Sequence, residues 1–245
     1  MKWSKLSHVG LVRKNNEDNC CVCEDIRLLA VADGMGGHKA GEIASKMALD
    51  ELSSYLRENP ETLHADPAQA LKMAFGYANS VVFNYAREKG DKFRGMGTTI
   101  TAVLPRGDKI FIAHVGDSRV YLVKGHEIKL LTNDHSLVNE MLKSGGLTEA
   151  EAENHPQRNI LTRAIGTSSD VEVDVEIEPV AEGDIVVLCT DGLFNRVNLE
   201  EIKQMAGQEE TLGERAKHLV ERALDRGGSD NITVVLYQVE KDTGD

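Results

Sequence analysis

Three aspartates stand where an apolar stretch of the chain meets a polar turn. Asp33 and Asp191 each follow an apolar run and precede a glycine, whereas Asp230 comes just before the last apolar run. Such runs are typical of buried strands, so the three carboxylates are expected at strand ends, which can share one edge of an antiparallel sheet. Carboxylates that converge repel one another unless cations lie between them. All-oxygen ligands favour Mg²⁺ or Mn²⁺ over zinc or copper.

The stretch from Asp33 to His38, DGMGGH, is the centre of this pattern. Gly34 has no side chain to shield its carbonyl oxygen, so this oxygen can act as a hard ligand beside the Asp33 carboxylate. Taken alone, the stretch is explained equally well as an ordinary glycine-rich turn between a strand and a helix. The second Asp-Gly pair, at Asp191, favours the metal site.

The composition limits the classes of partner. The 245 residues are 41% hydrophobic, which supports a folded core, and 40 acidic against 28 basic residues give a net charge of −12. This charge argues against nucleic acid, because binding it depends on cationic contacts to phosphates. The charges of the first twenty residues leave no room for a secretory signal, and no apolar run approaches membrane-spanning length. A soluble, cytoplasmic protein without membrane insertion is expected.

The four cysteines, Cys20, Cys21, Cys23 and Cys189, fit a reducing compartment. Cys20 and Cys23 have the spacing of half a zinc site, but in a strand their side chains would point to opposite faces. No second Cys or His pair follows at a suitable distance. A zinc site is therefore not expected.

The elements that must position the aspartates follow from periodicity and capping residues, and they indicate the α+β class. Helices are predicted over 40–57, over 67–87 with Asp66 as N-cap, over 137–143, and after N-caps at Asn198 and Thr211. Strands are predicted over 4–12, 20–23, 27–32, 98–104, 109–115, 119–123, 127–131, 160–165, 171–177, 184–190 and 232–239. The four strands between 98 and 131 are interpreted as an antiparallel meander.

A segment of about 134–156 interrupts this order. It has little apolar surface of its own, so it is interpreted as a flap, a mobile cover over one edge of the site. The whole chain, 1–245, is predicted to form a single domain that carries this insert.

Eight blocks of sequence occur in the order seen in the metal-dependent Ser/Thr protein phosphatases of the type 2C class. The chain resembles most the bacterial members that consist of the catalytic domain alone. This resemblance implies a four-layer αββα sandwich, in which two antiparallel sheets are flanked by pairs of helices. The blocks are Arg13 to Asp18 (RxxNED), Asp33 to His38, Gly97 to Thr99, His114 to Arg119, Asn133 to Ser136, Leu161 to Gly166, Cys189 to Leu193 and Gly227 to Val234.

The resemblance also implies two metal ions, Mn²⁺ or Mg²⁺, in one site. Asp33 would bridge the two ions, and the Gly34 carbonyl would bind the second of them. Asp191 and Asp230 would complete the first. Carboxylates from three separate segments would then share one binuclear centre.

Further ligands and a substrate contact follow from the same resemblance. Asp18, or Glu17 beside it, would hold water on the second ion. Asp117 matches a ligand for a third, weaker ion found in bacterial members, which it would share with Asp191. Arg13 matches the arginine that binds the substrate phosphate.

The chain departs from the animal members of the family at the residue after the first Asp-Gly. There those members have a histidine that is proposed to protonate the leaving group, and here Met35 takes its place. His38, three residues on, is the candidate proton donor, with a capping or packing role equally open. Water on a metal ion is the alternative acid. His155, in the flap, resembles a substrate-contacting position of bacterial relatives.

The activity implied is hydrolysis of phosphoserine and phosphothreonine in proteins by a metal-activated water, which reverses the action of a Ser/Thr protein kinase. A catalytically inactive scaffold that binds phosphoproteins is the alternative, but such members usually lack a metal aspartate and this chain lacks none. An enzyme dedicated to one regulator would differ in partner rather than in chemistry. The expected partners are phosphorylated proteins, including a Ser/Thr protein kinase, and the expected state is a monomer.

Overall fold

The computed structural model describes residues 1–36, 40–148, 151–152 and 155–241. The strands in these ranges are β1 (Lys2–His8), β2 (Asp18–Cys23), β3 (Leu28–Met35), β4 (Gly97–Thr98), β5 (Ile100–Arg106), β6 (Lys109–Val115), β7 (Arg119–Lys124), β8 (Glu127–Leu130), β9 (Asp174–Pro179), β10 (Ile185–Cys189) and β11 (Ile232–Gln238). The helices are α1 (Ala40–Glu58), α2 (Pro60–Ala65), α3 (Pro67–Lys89), α4 (Leu137–Lys143), α5 (Asp191–Phe194), α6 (Leu199–Ala206) and α7 (Leu212–Asp225). A short 3₁₀ helix covers Gly90–Phe93.

The strands form two sheets, and every strand pair is antiparallel. The first sheet has the order β1-β11-β10-β7-β8. The second has the order β2-β3-β5-β6-β9, with β4 paired to the end of β3.

Strand β3 shows why the sheets stack between helices. Successive side chains of a strand point to opposite faces, and all those from Leu28 to Ala32 are buried. Leu28 and Ala30 pack with the helices α1 and α3, whereas Leu29 and Val31 pack with apolar residues of β7, β10 and β11. A third cluster joins the opposite face of the first sheet to α6 and α7. The molecule is thus a four-layer αββα sandwich, which confirms the expected fold.

The predicted helix starts are confirmed by their caps. The Asp66 carboxylate accepts a hydrogen bond of 3.0 Å from the Gln69 backbone N–H. Asn198 and Thr211 each form a capping box with the glutamate three residues on. None of the helices in the described part of the chain is long and apolar enough to cross a membrane.

The predicted meander between 98 and 131 is wrong. Its four strands form two hairpins, β5-β6 and β7-β8, which belong to different sheets. The turn at 116–118 therefore carries the chain from one sheet to the other. Alternation of apolar residues defines each strand but does not say which sheet the strand joins.

Other elements also differ from expectation. Strand β1 was predicted over 4–12 but covers Lys2–His8, and helix α2 was not predicted. Residues 160–165 form no strand, only isolated bridges at Leu161 and Ile165. The strand predicted over 171–177 begins at Asp174, and Ile177 is 51% exposed because β9 is an edge strand. The one-turn helix α5 was not expected, since four residues are too few to show helical periodicity.

Candidate metal centre

Asp18 and Asp33 lie side by side in the second sheet. The register of β2 and β3 places their Cα atoms directly opposite each other. The Asp33 backbone is held on its other side, because its N–H donates to Thr99 Oγ1 (2.8 Å) and its carbonyl accepts from the Thr99 N–H (2.8 Å) and from Thr98 Oγ1 (2.8 Å). Both threonines belong to one of the sequence blocks, and they fix where β3 presents its carboxylate.

Asp18 links the two sheets through one oxygen and leaves the other without a partner. Its Oδ2 accepts a hydrogen bond of 2.8 Å from Thr190 Oγ1, at the end of β10 in the first sheet. Its Oδ1 is buried and has no hydrogen-bond partner among the described residues, and Asp18 is only 5% exposed. A buried carboxylate oxygen without a partner is costly, and a cation or a water held by one would satisfy it.

Asp191 is the first residue of helix α5, one turn that follows β10. Its carboxyl group lies close enough to that of Asp33 for its charge to raise the pKa of Asp33. Asn195, one turn later, donates a hydrogen bond of 3.1 Å to Asp191 Oδ2. Gly192 lies against the Asn231 carbonyl, and any Cβ there would collide with it. The second Asp-Gly pair is therefore needed for close packing between α5 and the start of β11.

Asp230 is bound by Arg13, whose Nη2 donates a hydrogen bond of 2.8 Å to its Oδ2. This hydrogen bond raises the pKa of Arg13 against the opposing effect of burial. The Arg13 side chain is still half exposed. The predicted phosphate-binding arginine thus lies in direct contact with a predicted metal ligand.

Asn231 was not predicted as a site residue, yet it fixes the loop that carries Arg13 and Glu17. Its Nδ2 donates to the carbonyls of Val9 (2.9 Å) and Asn15 (3.0 Å), and its Oδ1 accepts from the Glu17 N–H (2.8 Å). In the sequence this residue is typical of a turn before a strand. Its three partners lie more than 200 residues earlier in the chain, so no local pattern indicates them.

Gly34 lies where β3, the loop before β2 and the start of α1 meet. Its N–H donates to the Glu17 carbonyl (3.1 Å), and a Cβ would collide with the Gly41 carbonyl and lie 2.7 Å from that of Glu17. A Cβ on Gly41 would in turn lie 2.8 Å from Glu17 Oε1. Both glycines are required by close approach, and the Glu17 side chain lies over the start of α1.

Asp117 lies in the turn that connects the two sheets, between Gly116 and Ser118. The Ser118 hydroxyl is 2.8 Å from Thr99 Oγ1, the same hydroxyl that accepts from the Asp33 backbone. The turn of Asp117 is therefore tied to the strand end of Asp33.

The electrostatics of these acids indicate a site for cations. Burial, reinforced by the charges of neighbouring aspartates, raises the pKa of Asp117 to about 8, of Asp18 to about 7 and of Asp191 to about 6. The same two causes, burial first, raise the pKa of Asp33 well above its usual range. The pKa of Glu17 is also raised, chiefly by burial. Carboxylates that resist ionisation together are the donor set that divalent cations stabilise.

The side chains are assembled in one place but are turned towards partners within the protein. Arg13 binds Asp230, Thr190 binds Asp18, and Asn195 binds Asp191. Accordingly, among the residues that the structure describes, no three acidic, His or Cys side chains are arranged to hold a metal ion as they stand. The donor types and the unpartnered Asp18 oxygen fit two hard cations, which would replace these local partners.

Residues 12–226 match the family model for protein phosphatase 2C. The chain belongs to the protein phosphatase 2C family. It is 41% identical over 237 residues to the serine/threonine phosphatase stp of Listeria monocytogenes, covering 95% of this chain and 93% of that one.

Solved structures of phosphatases share the fold over nearly the whole chain. The S. agalactiae serine/threonine phosphatase superposes with a TM-score of 0.91 and 41% identity, covering 98% of this chain and 99% of that one. The catalytic domain of PstP, solved in complex with two manganese ions, gives a TM-score of 0.87 and 35% identity, with 98% of each chain covered.

These findings support a Ser/Thr protein phosphatase rather than the inactive scaffold. Phosphatases of the 2C type use metal ions, so the acidic cluster agrees with membership of this family.

The described contacts do not place the predicted proton donor or the predicted substrate-contacting histidine at the aspartate cluster. His38 lies outside the described residues. Within the described part of the chain, the hydrogen bonds of His155 stay in its own turn, since its N–H donates to the Ala152 carbonyl and its Nδ1 accepts from the Gln157 N–H. Met35 pairs with Gly97, and its methyl group lies against that glycine. Its thioether has no acidic proton, so Met35 cannot be the proton donor.

Arg119 and Asp134 are further supporting residues that the sequence did not predict as part of the site. The Arg119 guanidinium lies 3.8 Å from the centre of the Phe194 ring in α5 and forms a salt bridge of 2.7 Å with Asp134 at the base of the predicted flap. The base is closed by a hydrogen bond of 2.9 Å from the Leu137 N–H to the Ile160 carbonyl. Arg119 is the last residue of one of the eight sequence blocks, which can indicate its importance, but its partners require the fold.

Proposed function

We propose that this phosphatase hydrolyses phosphoserine and phosphothreonine in proteins at the acidic cluster, and that Mn²⁺ or Mg²⁺ occupies it. The observation that carries the proposal is the meeting of four aspartates from separate segments, at least three with a raised pKa, beside an arginine. Such a cluster is stable at neutral pH only when cations neutralise it.

We assign the ligands as follows. Asp33 and the Gly34 carbonyl serve the second ion, and Asp33 also serves the first together with Asp191 and Asp230. Asp18 offers its unpartnered Oδ1 as a hydrogen-bond acceptor for water in the site. Glu17, over the start of α1, is the alternative to Asp18 for this task.

A third, weaker ion is proposed at Asp117. The carboxylate is tied through Ser118 and Thr99 to the Asp33 strand end, and the charge of Asp191 contributes to its raised pKa. These two acids would share the ion.

When bound, the cations lower the pKa of water to near neutrality and stabilise the charge of the phosphoryl oxygens. The protein supplies the orientation. Once Asp230 turns to a cation, Arg13 loses the partner of its Nη2 and its half-exposed guanidinium can donate two parallel hydrogen bonds to the phosphate. Attack by water at phosphorus with departure of the serine or threonine oxygen then needs no covalent phosphoenzyme.

The proton for the leaving oxygen is assigned to His38, with water in the site as the alternative. His155 is proposed to contact the substrate from the flap of residues 134–156, which would cover the cleft. A His38→Gln variant with unchanged rates on substrates of high leaving-group pKa would favour water.

The partners proposed are phosphorylated proteins, among them a Ser/Thr protein kinase whose action the enzyme reverses in signalling. The four cysteines are free thiols, which suits the cytoplasm. We propose a monomer that acts there.

Hydrolysis of p-nitrophenyl phosphate and of a phosphothreonine peptide, measured with Mn²⁺, tests the proposal. We expect EDTA to abolish both activities and Asp191→Asn to lower kcat/KM by about a hundredfold or more, since an essential charge-stabilising group is lost. Asp25→Asn is the matched control, because Asp25 is exposed and pairs with Arg57 away from the cluster. Full activity of Asp191→Asn, or activity that survives EDTA, would show that the cluster is not the site.

A further inference from the structure

His135 binds both backbone hydrogen-bonding groups of Gly116, the residue before Asp117. The Gly116 N–H donates to His135 Nδ1 (3.1 Å), and the Gly116 carbonyl accepts from the His135 N–H (2.7 Å). His135 is only 6% exposed, so water does not compete for these bonds. Buried backbone groups of this kind are almost always paired, and in this turn one residue pairs both.

Gly116 is confined on its other side by Thr99. Its φ of +116° lies in a region that favours glycine, and a Cβ would collide with the Thr99 side chain. Thr99 in turn binds the Asp33 backbone and the Ser118 hydroxyl. Gly116 is therefore held between His135 and the strand end that presents Asp33, which leaves the neighbouring Asp117 little freedom.

The orientation of the His135 ring is itself determined. Because Nδ1 accepts a hydrogen bond, the ring proton lies on Nε2, which faces Asp174 Oδ2 at 3.0 Å. Arg163 holds the other oxygen of Asp174 at 2.8 Å. A carboxylate that fixes the tautomer of a histidine is a recurrent way to orient a side chain that supports a metal site.

We propose that His135 is a positioning residue for Asp117 and thereby sets the affinity of the third ion. The inference rests on the proposed function, because it assumes that Asp117 binds that ion. The hydrogen bonds that His135 forms with described residues reach none of the ligands assigned to the two tighter ions. Its Nδ1 holds the Gly116 backbone, and its Nε2 anchors the ring to β9 through Asp174.

Two substitutions separate the roles of the two nitrogens. Asparagine at this position offers an amide oxygen near the place of Nδ1, so His135→Asn keeps an acceptor for the Gly116 N–H. Glutamine offers its amide nearer to Nε2, so His135→Gln keeps a partner for Asp174 but leaves the Gly116 N–H without one. Both variants retain the backbone bond from residue 135 to the Gly116 carbonyl.

Mn²⁺ binding measured by isothermal titration calorimetry is the direct test. In wild type we expect two tight ions and one weaker ion, and Asp117→Asn should remove the weaker one. His135→Gln should weaken the third ion by about tenfold and leave the two tight ions unchanged, as expected for loss of a residue that orients a ligand. His135→Asn should weaken it by less than about threefold, which would be rescue by the variant that keeps the acceptor.

Other outcomes would overturn the inference. Equal weakening of third-ion binding in both variants would show a general loosening around the buried ring. Wild-type affinity for the third ion in His135→Gln would show that the bond from the Gly116 N–H to Nδ1 does not matter. If wild type binds only two ions, the inference and the third ion both fail, whereas the phosphatase activity and its loss in Asp191→Asn are unaffected. Thermal unfolding shows whether each variant has folded. If a His135 variant has not, Asp174→Asn replaces it in the test, because it weakens the bond that anchors the His135 ring through Nε2.

Discussion

In the proposed mechanism, Arg13 has a different partner in each of two states of the site. Its guanidinium binds Asp230, 217 residues later in the chain, and this bond would be exchanged for one to substrate phosphate when a cation takes the carboxylate. Because the side chain is half exposed, the exchange needs little rearrangement of the fold.

Replacing Arg13 should separate substrate binding from metal binding. We expect Arg13→Ala to raise KM for a phosphopeptide by about ten- to a hundredfold, because hydrogen bonds to a charged phosphate are lost. Mn²⁺ affinity should be unchanged or higher, since Asp230 is released. Steady-state kinetics and calorimetry check this, with Arg57→Ala, from the distant pair with Asp25, as the control. A KM equal to that of wild type would contradict the role in phosphate binding.

The burial of His114 makes the stability of the fold depend on pH. Burial, with a smaller contribution from the neighbouring His135 ring, lowers the pKa of His114 to about 3 from its usual 6.5. Between these values the unfolded chain binds the extra proton, so the stability is present above about pH 6.5 and is lost as the pH falls. Urea unfolding in EDTA at pH 7 and pH 5 should show a loss of about 2 kcal/mol from this residue.

His114→Asn isolates this contribution, since the amide can replace Nδ1 as the partner of Thr101 Oγ1 and does not titrate. The difference in unfolding free energy between pH 7 and pH 5 should shrink in the variant by about that amount. The other titrating groups are common to both proteins, so an unchanged difference would mean that His114 accepts its proton without penalty.

At the scale of elements, glycines allow three segments to meet at the end of β3. The loop before β2, the strand β3 and the helix α1 approach so closely at Gly34 that no side chain fits there. Gly76 in α3 is the opposite case, because nothing lies within 4 Å of where its Cβ would be.

This contrast predicts opposite effects of the same substitution. Gly34→Ala should lower the free energy of unfolding by about 2–3 kcal/mol, because the collision with the Gly41 carbonyl forces the segments apart. Gly76→Ala should raise it by about 0.5–1 kcal/mol, as alanine is the better helix former. Urea unfolding of both variants measures this. A neutral Gly34→Ala would mean that α1 can shift without loss.

At the scale of the whole molecule, the site is built where the two sheets meet. The second sheet contributes Asp18 and Asp33, while Asp191 and Asp230 come from segments next to strands of the first. The hydrogen bond from Thr190 Oγ1 to Asp18 joins a carboxylate of the second sheet to a strand end of the first. Cations shared by these acids would add a further link between the layers.

Much of the fold follows from local patterns. The helices α3, α6 and α7 begin where Asp66, Asn198 and Thr211 can cap them, and β6 spans the residues predicted from its apolar alternation. The assignment of strands to sheets was not predictable in this way. Strands β6 and β7 are separated by only three residues, yet they lie in different layers.

The sequence by itself determined the kinds of element, the aspartates at their ends and, through eight ordered blocks, the family. These depend on neighbours in the chain, whose steric and hydrogen-bonding preferences are local. The tertiary structure alone decided that Asn231 holds the Arg13 loop, that Arg13 engages Asp230 and that His135 holds the turn of Asp117. Those contacts join residues far apart in the chain, and they exist only once the stacking of the two sheets has placed the strand ends together.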